Sequence, residues 1–99
     1  MTREIVFRPE AESELIEAYE WYEGRQLGLG NDFLLCVEAA LSSLQRNPAL
    51  YPVVSKQVRR ALIHRFPFGI YYLIDPERVV IISVFHARRD PNQWKSRVQ

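Results

Sequence analysis

Seven side chains in two short stretches have the chemistry to hold or process an anion. They are Arg59, Arg60, His64 and Arg65 in VRRALIHRF, and His86, Arg88 and Arg89 in VFHARRD. A guanidinium binds phosphate or carboxylate through two parallel N–H donors. An imidazole can take or give a proton near neutral pH. RNA cleavage by 2′-OH attack needs a base, an acid and positive charge at the phosphorane. His86 is the candidate for that proton transfer, with His64 behind it. Arg59, Arg65, Arg88 and Arg89 are the candidates for contact with a target. A plainer reading stands beside this one. A histidine at a strand end can simply be hydrogen-bonded into the fold, and Arg88-Arg89-Asp90 can form a local ion pair worth at most ~1 kcal/mol.

The charge is unevenly spread. Net charge is +1, yet residues 1–55 carry four arginines against nine acids, a net of −5. Residues 56–99 carry nine lysines or arginines against three acids, a net of +6. An acidic half and a basic half predict two unlike faces, the basic one suited to RNA, DNA or an acidic peptide. Exposed helix acids and exposed strand-edge bases would produce the same imbalance without any partner.

The elements that must position these residues follow from periodicity. EIVF, residues 4–7, reads as a strand. Pro9 suits a first helical position, and Glu10, Glu12 and Glu14 suit the positive end of a helix dipole. Ala11, Leu15, Ala18, Tyr19 and Tyr22 repeat at three and four, predicting a helix over 9–25 with one apolar face. Tyr19 and Tyr22, with Tyr72, are expected in the core. Trp21 falls off that face and is the candidate exposed aromatic at a partner interface. Glu10, Glu14 and Glu17 share a helix side with nothing to complete a metal set, so a solvated face is expected.

Gly24, Gly28 and Gly30 interrupt the helix, and Asn31 or Asp32 is the expected cap of a second one. Phe33, Val37, Ala40, Leu41 and Leu44 form its stripe, and Pro48 ends it near Arg46. Such a short link predicts an antiparallel helical hairpin. PALYPVV, 48–54, reads as a proline-bounded loop. Strands follow over 58–66, 68–75 and 78–86, with a compact turn at Asp75-Pro76-Glu77 and the other corner marked by Pro67 and Gly69. VVIISVF is apolar almost throughout, as in a central strand covered on both faces. DPNQWKSRV is left as a short final helix or coil. One α+β domain over 1–99 results, in the order β-α-α-β-β-β. Its helical hairpin packs on one face of a small antiparallel-rich sheet.

Several classes are set aside. No apolar run could span a bilayer, and MTREIVFRPE lacks a signal-peptide core. Cys36 is the only cysteine, so no internal disulfide or Cys-pair metal site is available, and among Phe33, Val37 and Leu41 it reads as core filler. GLGN lacks the lysine of a phosphate-binding loop and does not follow a strand. A cytoplasmic protein without cofactor is expected.

The chain resembles the RelE/ParE superfamily of toxins from type II toxin–antitoxin pairs. The resemblance rests on FRPEAESEL, YEWYEGRQLGLGNDF, NPALYP, VRRALIHRFPFGIYY and VFHARRDPNQW, which together span nearly the whole chain. RelE-like nucleases carry lysines before and within the middle strands and a tyrosine near the C-terminus. This chain offers Lys56 in that loop and Trp94 in the tail. The resemblance is therefore to the ParE-like, plasmid-stabilisation branch. It implies a toxin that blocks DNA gyrase by protein–protein contact, and a cognate antitoxin that neutralises it. The alternatives it leaves are a ribosome-dependent mRNA endonuclease of the RelE kind and a non-toxic binding module with the same fold.

Overall fold

The computed structural model describes residues 3–89 and Lys95. The reading of DPNQWKSRV falls almost wholly outside them. Strand β1, Glu4–Phe7, leads into helix α1, Pro9–Arg25, and then α2, Leu29–Arg46. A short 3-10 turn, Pro48–Leu50, precedes β2 (Val53–Ser55), β3 (Val58–Leu62), β4 (Phe68–Ile74) and β5 (Arg78–His86). The sheet order is β1-β5-β4-β3-β2. β1 lies parallel to β5, and every other pairing is antiparallel.

α1 begins as expected. Pro9 stands at its first turn with Glu10 and Glu12 beside it. The start of α2 differs from expectation. Neither Asn31 nor Asp32 caps it. Gly28 is the cap, with φ +89°, a conformation that glycine adopts without steric cost. The carboxylate of Glu23, on α1, accepts the N–H groups of Gly28 and Gly30, each at 3.0 Å. An anion from the preceding helix thus satisfies donors that a helix start leaves open. The helix can then start at Leu29, ahead of the residues read as its cap.

The stretch read wholly as a loop contains most of β2. Val53 opposes Arg59 and Ser55 opposes Val58. Pro52 does not forbid this, because β2 is the sheet edge, where a missing N–H costs little. β3 also ends earlier than expected, at Leu62. Arg65 has φ +74° and so cannot continue a strand. The turn closes through Ile63 N–H to Phe68 C=O at 2.9 Å. The β4–β5 turn is held by Asp75, whose Oδ1 accepts the N–H groups of Glu77 and Arg78 at 2.9 and 2.6 Å. Those bonds, the Glu77 one foremost, hold its carboxyl below the usual carboxylate range.

The main core lies between the hairpin and the sheet. Phe33, Val37 and Leu44 of α2 meet Ile70, Tyr72, Val79 and Ile81, all essentially fully buried. A second cluster, Val58, Tyr71, Ile82 and Phe85, occupies the other sheet face. β5 is central and apolar on both faces, as its sequence predicts.

Tyr72 ties the core to the chain above it. Its hydroxyl donates to Pro48 C=O at 2.6 Å. Burial pushes its pKa up to about 12, with the Arg59 charge partly opposing. The folded value exceeds the unfolded one, so this contribution is complete below pH ~10 and is lost as pH rises toward about 12. Tyr72→Phe is expected to cost about 1–2 kcal/mol by leaving the carbonyl unpaired. It should also flatten the fall in stability across that alkaline window. Denaturant titrations at pH 8 and pH 11 check both; parallel losses in wild type and variant would refute the second.

Candidate interaction cleft

β1 pairs with β5 only as far as Phe7 opposite Ile81. The last bond on that side is Arg8 N–H to Ile81 C=O at 3.0 Å. Beyond it α1 takes over that flank of β5. Glu14 Oε1 accepts Ser83 Oγ–H at 2.9 Å and Val84 N–H at 3.2 Å. A register shift between β4 and β5 sits here, between Tyr71 and Tyr72, and Ser83 is fully buried. The expected solvated acid face is therefore wrong for Glu14. The β5 flank exposes donors that only a helix carboxylate reaches.

Between α1 and the end of β5 lies a cleft of about 670 Å³. Glu14, Glu17, Ala18, Trp21 and Tyr22 form one wall. These positions recur at three and four along α1 and so share a stripe. Phe68, Val84, Phe85 and His86 form the other wall, with Pro67, Arg88 and Arg89 at the mouth.

His86 stands opposite Phe68 across β4–β5, with ring centroids 5.4 Å apart. Its Nδ1 accepts the Arg88 backbone N–H at 3.2 Å. The neutral ring therefore carries its proton on Nε2. Ala87 N–H donates to Pro67 C=O at 2.8 Å, and Arg89 N–H to His86 C=O at 3.1 Å. This turn places Arg88 and Arg89 at the mouth of the cleft. Both are exposed, and neither side chain makes an ion pair or hydrogen bond among the described residues. Glu17 is likewise exposed and unpaired there.

Trp21 is 56% exposed, as its place off the apolar stripe predicts. It meets Tyr22 edge-on at 5.1 Å, and the Arg25 guanidinium sits 4.4 Å from its ring centroid. Tyr22 is buried against Phe33, Phe66 and Phe68, and burial raises its hydroxyl pKa.

The cleft thus gathers Trp21, His86, Arg88 and Arg89. Arg59 and Arg65 do not line it. Arg59 Nη1 donates to Ala49 C=O at 3.1 Å and Tyr51 C=O at 2.5 Å, clamping the segment before β2. Arg65 lies in the β3–β4 turn, 3.8 Å from Asp32 and over the Phe66 ring at 5.4 Å. Arg60 extends along Gly69, where a Cβ would stand 3.0 Å from its Cγ. Its Nε is buried without a hydrogen-bond partner. His64 is exposed in the same turn as Arg65. Phe68, Tyr22, Glu14 and Glu17 belong to the cleft without having been singled out for it. The Glu14–Ala18–Trp21 spacing was a signal for the α1 wall; nothing in the sequence aligned Phe68 with His86.

A helical hairpin packs on one face of a five-stranded mixed sheet, with an aromatic cleft carrying Arg88 and Arg89 at the end of β5, in a small two-layer α+β fold. The chain matches the family model for the ParE toxin of type II toxin–antitoxin systems, parDE, over residues 5–91. It belongs to the ParE toxin family. Its fold is similar to that of a solved chain from a chromosomal ParDE TA system of P. aeruginosa, with a TM-score of 0.74 at 16% sequence identity. That alignment covers 88% of this chain and 98% of the other. No curated protein matches the chain. Among the described residues, no helix is long and apolar enough to cross a membrane.

Proposed function

We propose that this chain is a cytoplasmic toxin that inhibits DNA gyrase by protein–protein contact and is neutralised by a cognate antitoxin. Membership of the ParE family supports the toxin reading. The observation that carries contact over RNA cleavage is the composition of the cleft. It holds one imidazole, whose Nδ1 is already engaged by Arg88 N–H. It also holds two carboxylates, Glu14 and Glu17, which would repel a phosphodiester backbone. Carboxylates beside exposed arginines and aromatics suit a protein surface better than a nucleic-acid backbone.

Induction of the chain from a tight promoter, read by growth, plasmid supercoiling and transcript integrity, tests this. The expected result is growth arrest with relaxed plasmid and intact transcripts, relieved by co-expressing the protein encoded beside it. Transcripts cut within translated frames, with supercoiling unchanged, would replace gyrase inhibition with the ribosome-dependent nuclease reading. Normal growth would leave a binding module with the toxin fold.

A further inference from the structure

We infer that the Arg60 guanidinium anchors a binding site for an aliphatic carboxylate, on the sheet face turned away from the helices. The site is separate from the cleft and stands apart from the toxin reading. Arg60 follows Val58 by two positions on β3 and lies opposite Tyr71 of β4. Side chains two apart on a strand share a face, so Arg60 lies with Val58, Tyr71, Ile82 and Phe85, all buried. Gly69 makes the room for it. A Cβ there would stand 3.0 Å from Arg60 Cγ, 3.1 Å from its Cδ and 3.2 Å from Tyr71 Cε1. The stem of Arg60 is thus laid across the glycine, and its course is fixed.

The guanidinium on this stem has no counter-ion. Among the described residues, its Nε is the one buried side-chain nitrogen or oxygen without a hydrogen-bond partner. The ion pairs among those residues involve Arg65 and Arg78. Strands β2 to β5 contain no aspartate or glutamate. Packing on Gly69 does not call for a charge, since an unbranched apolar side chain could cover it. Withdrawing a guanidinium from water without an anion costs stability, and a bound anion offsets that cost. The terminal nitrogens are not sealed as Nε is, so a carboxylate can accept from both in a bidentate pair. Arg59, the next cation along the strand, is taken by the Ala49 and Tyr51 carbonyls. One fixed charge therefore faces the ligand, which matches a carboxylate better than a phosphate dianion. Leu62, two positions further along the same face, is 59% exposed and offers contact to an aliphatic group.

Nuclear magnetic resonance of the isotope-labelled full chain tests the site. The arginine Nε–H signals are followed during titration with butyrate, acetate or inorganic phosphate at neutral pH and fixed ionic strength. The Arg60 signal, identified by its absence from Arg60→Met, should shift saturably with butyrate. Acetate, with less aliphatic surface to bury, should bind about fivefold more weakly, and phosphate should also bind more weakly than butyrate. Gly69→Ala keeps the charge but displaces the stem, and should weaken butyrate binding about fivefold. Arg60→Met should lose the saturable response while unfolding at no lower denaturant concentration than wild type. An Arg60 signal that moves without saturation, in step with those of Arg88 and Arg89, would reflect ionic screening and overturn the site. Phosphate binding as tight as butyrate would overturn the carboxylate assignment. A less stable Arg60→Met chain would show that the charge serves the fold, and would overturn the inference from its missing counter-ion.

Discussion

Gly30→Ala is expected to destabilise the protein by about 3 kcal/mol, because it forces apart the two helices of the hairpin. A Cβ at Gly30 would stand 2.8 Å from the Tyr19 carbonyl oxygen and 2.8 Å from Tyr19 Cε1. The ring could swing, but the carbonyl belongs to the α1 backbone and can move only with the helix. Glu23 Oε1, at 2.9 Å, would be displaced from the N–H group it accepts. Alanine's better helix propensity returns at most about 1 kcal/mol. The clash outweighs it, because it acts on backbone at a buried position. Denaturant unfolding should show a lower midpoint with an unchanged slope. A loss below about 1 kcal/mol would mean that the helices do not approach this closely.

Removing Glu14 is the second large expected effect. Glu14→Ala strips the acceptor from the hydroxyl of fully buried Ser83 and from Val84 N–H. An unsatisfied buried donor costs about 1–3 kcal/mol, so the pair predicts a loss of about 2–4 kcal/mol. Both donors reach the same oxygen, Oε1. The side-chain carbonyl of a glutamine can accept both, so Glu14→Gln should recover more than half of the loss. That comparison separates hydrogen bonding from charge. Equal losses in the two variants, measured by denaturant unfolding at pH 7, would show that the negative charge matters instead. Glu14 also lines the cleft, so toxicity should be compared at matched folded concentration.

The two predictions fall where sequence reading was weakest. Glycines 24, 28 and 30 were legible as a break between helices, since glycine disfavours a helix interior. Why position 30 must lack a side chain was not legible, because the obstacle is a carbonyl on another helix. The cap of α2 was misplaced for the same reason. Asn31 and Asp32 look like caps locally, yet Glu23 reaches across the turn. β2 was hidden because three residues after a proline carry too little pattern, and their pairing depends on β3 lying alongside. The six candidate site residues divided likewise. Trp21 was identified by its place off a helical stripe, and His86, Arg88 and Arg89 by residue type. Arg59 looked equally free in one dimension, while in the fold its guanidinium is taken by two carbonyls of its own chain.

The arginine and histidine side chains of the two basic stretches thus have different duties. Local pattern determined α1 to the residue, β5 as a central apolar strand, and the α+β class, since helix and strand periods depend on neighbours a few positions away. Only the tertiary structure decided which charged side chains remain available. A guanidinium is equally soluble in either arrangement, so whether it serves the fold or a partner depends on which carbonyls and carboxylates packing brings within about 3 Å of it.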